Sequence, residues 1–368
     1  MKNRINIRAM AAIVVMLAVN FKVDAQVGGA LNRARNAAQG AAEQVTGTSG
    51  QQQQSSTTQS ANEQQSTTTT GSTVLPAAPA RAQQQPWAIG HTLSSHQSAA
   101  TVQATFADGV LTIKGAGKTV DFVITMRLDE RPWAAHVKEI KSVVAEEGVT
   151  HLPAFAFYGC ENLTSVSLPS TLEYIGGSAF FGCKSLTSIT LPKSLDNFAT
   201  GMVPDGKGSE YMTGLFGQCT ALTEIKVADG NTKYKAVDGV LYVHFSNRWR
   251  LAAYPAGRAN ATFTVPDQTP VILPGAFANA TALKEITLPQ SLGAINVGAF
   301  RGCTGLEKIT LLQPTGAVSL GGAGRNEFEG VDMTKIKILV PAKILENYTT
   351  RADSNWRQWA SQISAITN

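Results

Sequence analysis

A repeat of about 23 residues constrains this chain more than any other feature of its sequence. Phe157 recurs as Phe180, and Phe277 recurs as Phe300, at the same interval and each directly after an alanine. The interval is longer from Phe180 to Phe216 and longer still from Phe216 to Phe277, so two periods contain insertions. A fixed period of about 20 to 50 residues indicates stacked structural units rather than one globular core.

Each unit also carries apolar residues spaced as Leu-x-x-Ile-x-Leu. Leu186, Ile189 and Leu191 form one copy, and the other units have the same spacing at the same place. The last two apolar residues are two apart, so their side chains lie on one face of a β-strand. Pro192 follows and ends the strand, because proline cannot donate the next ladder hydrogen bond. This spacing is the strand pattern of a leucine-rich repeat.

The repeat predicts an α/β solenoid, a right-handed leucine-rich-repeat coil with a parallel sheet. A single coil has no interior of its own, so it is stable only between stacked neighbours. We expect the array to occupy residues 137–341, with insertions near 200–213 and 228–260. The phenylalanines, with Phe328 as a further candidate, should then form one buried column.

Both ends of the array need a cover, because an open solenoid exposes apolar side chains and strand edges. Residues 86–136 are predicted to form an N-terminal β cap. Its main element should be a β-hairpin between residues 110–113 and 120–124, where β-branched residues flank a glycine-rich turn. Residues 342–368 should cover the other end, and the second insertion is expected to be an inserted β-hairpin.

The segment at 1–25 has the pattern of a cleavable secretory signal. Lys2, Arg4 and Arg8 precede an apolar run at residues 9–19, and small residues lead up to Ala25. Eleven apolar residues are too few for a membrane-spanning helix, which needs about 20. We therefore expect a secreted protein or one on the outer cell surface, with no transmembrane segment in the mature chain.

Residues 26–85 differ in composition from the repeats. They are poor in large apolar side chains and contain runs of glutamine and threonine. Such a segment cannot bury enough apolar surface to offset its conformational entropy. We expect a disordered spacer.

The four cysteines occupy a single repeat position. Cys160, Cys183, Cys219 and Cys303 each lie three residues after a repeat phenylalanine, and Ala280 holds this place in the remaining full copy. A position that accepts cysteine or alanine is typical of a small buried site. Exported proteins commonly contain disulfides, so a disulfide or a metal site is the alternative. No CxxC or HxxxH spacing favours zinc, and we expect no metal and no cofactor.

Neither catalysis nor nucleic-acid binding is favoured. None of the five histidines recurs in the repeat, and the glycines at 321–324 lack the Lys-Ser/Thr of a phosphate-binding loop. The formal net charge of +5 is not concentrated in a basic run. We therefore expect a protein without enzymatic activity that does not bind nucleic acid, and an unrecognised hydrolase is the less favoured alternative.

The unit at residues 175–192, IGGSAFFGCKSLTSITLP, closely resembles the BspA-like leucine-rich repeat family of bacterial secreted and cell-surface proteins. The resemblance extends over roughly residues 100–350 and includes Trp133, the VDGVLY insertion at 237–242 and the Val-Pro ending at 340–341. It implies a bacterial source and an extracellular or outer-surface location. It also implies an adhesin-like function in which host extracellular proteins or microbial surface proteins are bound.

Stacked strands present a polar outer face that can vary without disturbing the core, and this face is the first candidate binding surface. Its candidate residues are Thr187, Ser188, Thr190, Glu224, Lys226, Lys284 and Glu285. The aromatic residues Tyr242, Phe245 and Trp249 of the second insertion are further candidates, since aromatic side chains are favoured as binding anchors. Alternatively, the outer face is an ordinary solvated surface, and the aromatic residues cover a flank of the solenoid. A structural or assembly role in the cell envelope is the alternative function.

The predicted column makes Phe180 a test of the stacked interior. Phe180→Ala should lower the free energy of unfolding by about 3 to 5 kcal/mol, because a buried ring is lost and a cavity remains. Chemical denaturation followed by circular dichroism measures this, with Thr190→Ala as the control on the outer face. A Phe180→Ala variant as stable as the control would exclude a shared interior.

Overall fold

In the computed structural model, the described residues are 85–90, 101–122, 129–204, 210–321 and 327–367. The predicted signal segment at 1–25 and the predicted spacer at 26–85, except for its last residue, lie outside these ranges. The described chain is built mostly of strands in parallel sheets.

Three antiparallel strands precede the repeats: β1 (Trp87–Ala88), β2 (Gln103–Ala107) and β3 (Val110–Lys114). A short 3-10 turn at Ala134–His136 leads to β4 (Ser142–Ala145), which pairs in parallel with β3. The predicted hairpin between 110–113 and 120–124 is therefore wrong, since β2 and β4 occupy both edges of β3. The true turn is Asp108-Gly109, with both residues at positive φ. Asp-Gly strongly favours a two-residue hairpin turn, and this signal outweighs the glycines that follow β3.

Each coil of the first half contributes one strand to each of two sides. The strands that follow β4 are β5 (His151–Leu152), β6 (Ser165–Ser167), β7 (Tyr174–Ile175), β8 (Ser188–Leu191) and β9 (Asn197–Phe198). The Leu-x-x-Ile-x-Leu segments form the first-side strands β4, β6 and β8, and β4 pairs in parallel with β6. On the second side, the two-residue strands β5, β7 and β9 form a parallel sheet, which we call the side sheet. Successive strands of this sheet are one period apart in the sequence.

Two antiparallel elements interrupt the coils. The first is a hairpin of β10 (Gly201–Pro204) and β11 (Glu210–Thr213). After β12 (Glu224–Val227), which pairs in parallel with β8, the second is a meander. It consists of β13 (Tyr234–Val237), β14 (Val240–Phe245) and β15 (Arg248–Ala253), one strand more than the predicted hairpin.

The second half repeats the two-sided arrangement. Its strands are β16 (Thr262–Thr264), β17 (Val271–Ile272), β18 (Glu285–Leu288), β19 (Ala294–Ile295), β20 (Lys308–Leu311), β21 (Ser319–Leu320) and β22 (Lys337–Val340). Helix α1 (Leu345–Thr349) and β23 (Ile363–Ala365) follow, with 3-10 segments at Met333–Lys335, Ala342–Ile344 and Asn355–Gln362. β16, β18, β20, β22 and β23 form one parallel sheet, and β15, β17, β19 and β21 continue the other side. Because α1 is the single α-helix of the described residues, the predicted α/β class overstates the helix content.

The second insertion contains a coil that the sequence pattern hides. Tyr254 lies one period before Phe277, and the two ring centroids are 5.1 Å apart in a stacked arrangement. Strand β16 pairs with β18 one period later. Asn260 and Thr269 stand where the other coils have leucine, so the leucine spacing is lost. The true insertion is therefore shorter, by one full period, than the interval between Phe216 and Phe277 suggests.

Aromatic rings stack through the interior of both halves. The centroid of Phe180 lies 5.3 Å from that of Phe157 and 5.9 Å from that of Phe216. In the second half, the centroids of Phe277 and Phe300 are 5.0 Å apart, and Phe328 continues the stack 5.3 Å beyond Phe300. Each of these rings is at most 7% exposed. The column thus runs along the direction in which the coils stack.

The meander separates two apolar cores and contributes to both. Tyr234 and Leu241 belong to the core of the first half, whereas Tyr242 and Leu251 belong to the core of the second. Successive side chains of a strand point to opposite faces, so each face of the meander covers one core. The insertion is therefore a layer within the stack.

Side chains replace a missing coil at the N-terminal end of the array. In later coils, the carbonyl groups beside the repeat phenylalanine accept hydrogen bonds from amides of the preceding coil. In the first coil, the Ala156 carbonyl accepts from Trp133 Nε1 at 2.9 Å, and the Tyr158 carbonyl accepts from Arg131 Nη1 at 2.6 Å. Asp129 pairs with Arg131 at 2.5 Å, and both side chains are at most 5% exposed. No carbonyl of this pair is left without a donor, which would be costly at a buried site.

Aromatic hydroxyl and indole groups satisfy backbone groups where the side sheets end. The Phe198 amide donates to Tyr234 Oη at 2.7 Å, at the end of the β5–β7–β9 sheet. Beside β21, the Val318 amide donates to Tyr348 Oη at 3.0 Å, and the Val318 carbonyl accepts from Trp356 Nε1 at 2.7 Å. In each half, a tyrosine hydroxyl therefore accepts a hydrogen bond from a backbone amide where the side sheet ends.

Removing the buried Arg131 should destabilise the protein strongly. Arg131→Met leaves the Asp129 carboxylate buried without its cationic partner and removes the Arg131 donor to the Tyr158 carbonyl, which should cost about 3 to 5 kcal/mol. Arg351 provides a matched control, because it pairs with Asp353 at the same sequence separation but with side chains 60% and 70% exposed. Arg351→Met should not change the denaturation midpoint measurably. Equal midpoints for the two variants would contradict this account of the N-terminal end.

Candidate binding surfaces

The outer face of the first-side strands carries the predicted polar residues, and the predicted charged residues among them are paired. Thr187, Ser188 and Thr190 are exposed hydroxyl residues at β8. Glu224 and Lys226 lie on the same strand, with Lys226 Nζ 3.1 Å from Glu224 Oε2. The face is therefore neutral at this point.

The same pairing holds farther along that face. Lys284 Nζ lies 3.1 Å from Glu307 Oε1, and Lys308 Nζ lies 2.5 Å from Glu285 Oε2. Glu285 and Lys308 are direct neighbours in the parallel ladder, so the register of the coils brings them together. Exposed pairs of this kind stabilise little, about 0 to 1 kcal/mol. They leave strands β18 and β20 without a net charge on this face.

Three tyrosines of the second insertion are buried rather than available for binding. Tyr242 is 2% exposed and packs in the core of the second half, so its prediction as a binding residue is wrong. Tyr234 and Tyr254 are also buried. The physical reason is that each face of the meander packs against one of the two cores. Alternation along a strand therefore does not show which of its side chains are exposed.

The meander leaves the core beyond Tyr242. We define the hairpin tip as Lys235 together with the residues around the turn between β14 and β15: His244, Phe245, Arg248, Trp249 and Arg250. All six side chains are partly or fully exposed. The turn residues Ser246 and Asn247 have φ of 49° and 59°, the backbone of a tight primed turn that matches the strand twist. The tip is therefore a preformed element.

Rings hold the cations of the hairpin tip in place. Lys235 Nζ lies 4.3 Å from the centroid of the Trp249 ring, and the His244 and Trp249 centroids are 4.9 Å apart. On the opposite face, Arg250 Cζ lies 4.3 Å from the centroid of the Phe245 ring. Cation–π contacts of this kind orient a cation without neutralising its charge.

Among the described residues, no carboxylate forms an ion pair with the cations of the hairpin tip. Within the described ranges, Lys235, Arg248 and Arg250 form no ion pair and no side-chain hydrogen bond. Arg250 Nε is buried without an acceptor, and burial lowers the pKa of this guanidinium. By contrast, Lys233 on the same meander lies 3.4 Å from Asp196. The tip is thus the unpaired cationic surface of the insertion.

A shallow groove of about 350 Å³ lies beside Glu224, where the first-side sheet is interrupted between β12 and β16. The Asp238-Gly239 turn of the meander fills the gap, and the Ile225 amide donates to the Gly239 carbonyl at 3.0 Å. Arg258 Nη2 pairs with Asp238 Oδ2 at 3.0 Å. The charges of this groove are therefore also satisfied within the chain.

The cysteines lie in the core as free thiols. Cys183 Sγ donates to the Phe157 carbonyl at 3.3 Å, and Cys303 Sγ donates to the Phe277 carbonyl at 3.0 Å. Cys219 makes the same bond to Phe180 at 3.1 Å. Burial raises the pKa of Cys303 to about 12, so the thiol stays protonated and remains a donor. These three cysteines therefore each link a coil to the one before it, a role that sequence spacing alone did not reveal.

Two features are absent from the described ranges. There, no group of three or more His, Cys, Asp or Glu side chains is arranged to hold a metal ion. None of the helices found in those ranges has the length and apolar character needed to span a bilayer.

Several solved structures are similar to this chain. A leucine-rich repeat protein from Eubacterium ventriosum is 23% identical, with 72% of this chain and 76% of that chain covered and a TM-score of 0.41. A leucine-rich cell surface protein from Faecalibacterium prausnitzii is 20% identical, with 76% and 94% covered and a TM-score of 0.29. The pneumococcal vaccine antigen PcpA is 15% identical, with 76% and 99% covered and a TM-score of 0.32. No curated protein matches the chain.

The family model of the BspA type leucine-rich repeat region matches six copies, at residues 135–205 and 259–359. The unmatched stretch between them contains β11, β12, the meander and the start of the coil with Tyr254. The resemblance seen in the unit at 175–192 is confirmed, and the chain contains BspA-type leucine-rich repeats.

Proposed function

We propose that this protein is an exported module that binds another protein at the cell surface, in the manner of an adhesin, and that catalyses no reaction. The hairpin tip carries this proposal: it is a preformed, partly exposed element with three cations that have no acidic partner in the described chain. Arginine and tryptophan are the residues most enriched at the energetic centre of protein interfaces.

The remaining features support display and recognition. The resemblance to the BspA-like family supports a surface location, and stacked repeats present extended surfaces that suit binding. The signal pattern at 1–25 supports export, and the composition of 26–85 supports a spacer between an attachment point and the array. The neutral outer face of the strands adds hydroxyl groups that can form the polar rim of an interface.

The proposal is tested by capture of partner proteins on the purified chain from host matrix extracts and neighbouring-cell lysates. Trp249→Ala should reduce the amount of the captured protein by about tenfold or more, because an interface anchor is removed. Thr187→Ala combined with Thr190→Ala should change capture by less than about twofold, because these hydroxyls lie on a neutral solvated face. Thermal melts of all proteins control for folding.

Two results would contradict the proposal. One is a well-folded wild-type chain that captures no protein from any extract. The other is a captured protein whose binding depends on the strand hydroxyls and is indifferent to Trp249.

A further inference from the structure

The inference here rests on the proposed function and concerns the chemistry of the partner. We propose that the hairpin tip binds an acidic protein segment. In this complex, Asp or Glu carboxylates reach Arg248, Arg250 and Lys235, and apolar side chains of the segment pack beside Trp249 and Phe245.

The cations of the hairpin tip differ from those of the strand face in their pairing. Lys235, Arg248 and Arg250 lie within one hairpin, and the described residues supply no carboxylate to any of them, whereas Lys226, Lys284 and Lys308 on the strand face are each paired. A localised positive patch attracts an acidic surface and rejects a basic one. The tip therefore presents a cluster of positive charge that these paired strand residues do not.

The packing of Arg250 also favours a carboxylate partner. Its Cζ packs 4.3 Å from the Phe245 ring, and its Nε is shielded from solvent with no acceptor. The guanidinium of this partly exposed side chain has further N–H donors, from which a carboxylate can accept charge-assisted hydrogen bonds. The guanidinium is already oriented, so less conformational entropy is lost on binding.

The hairpin tip places aromatic rings beside its cations. Trp249 is flanked by Lys235 and His244 on one face of the hairpin, and Phe245 by Arg250 on the other. A partner that supplied only negative charge would make no apolar contact with these rings. A protein segment with both carboxylates and apolar side chains matches both, which favours a protein over a sulfated polysaccharide.

The test measures the affinity of the full chain for poly-L-glutamate, with heparin as the competing sulfated polymer. Arg248→Gln combined with Arg250→Gln should weaken binding of poly-L-glutamate about tenfold or more. Lys284→Gln combined with Lys308→Gln removes the same charge from the strand face and should weaken it less than about twofold. Lys235→Gln provides a second tip variant away from the partly buried Arg250, with an expected loss of about threefold.

The outcomes separate this inference from the proposed function. Equal losses in the tip variant and the strand-face variant would show that only net charge matters and would overturn the inference. Heparin that binds more tightly than poly-L-glutamate, with the same dependence on Arg248 and Arg250, would assign the tip to a sulfated glycan and would also overturn it. If Trp249→Ala abolishes capture of a protein partner while poly-L-glutamate does not bind, the proposed function stands and the acidic partner class is wrong.

Discussion

Each coil of this protein depends on its neighbours for both its apolar interior and its backbone hydrogen bonds. The Phe157 amide donates to the Ala179 carbonyl of the next coil, and the two rings at 157 and 180 stack within the same interval. A unit with this dependence cannot end freely, because its last carbonyl groups and rings would be exposed. Arg131 and Trp133 therefore complete the first coil with side-chain donors.

The same dependence explains how the array accepts an insertion and gains a binding element. The meander lies between two cores, and alternate side chains such as Leu241 and Tyr242 fill one core each. Only the end of the hairpin extends beyond the buried part of the meander, and its side chains are partly or fully exposed. The exposed Arg248 can vary there without disturbing the coils, which is the condition for a recognition surface on a rigid scaffold.

The sequence predicted the coils because leucine and phenylalanine at fixed spacing report a shared interior directly. It missed the coil of Tyr254 because the ring was kept while Asn260 replaced the leucine, and a search for leucine spacing cannot see this exchange. The role of Arg131 was missed because side chains that satisfy backbone carbonyls follow no period. Tyr242 was misplaced because a strand covered on both faces has no polar side to mark its orientation.

Because the meander packs in both cores, the two halves of the array should unfold as one cooperative unit. Hydrogen exchange in increasing denaturant, read by mass spectrometry on peptides containing Phe180 and Phe300, tests it most directly, since each ring reports one of the two cores. One common denaturant midpoint for both peptides is the predicted result. Two well-separated midpoints, with one half exchanging while the other stays protected, would contradict the claim.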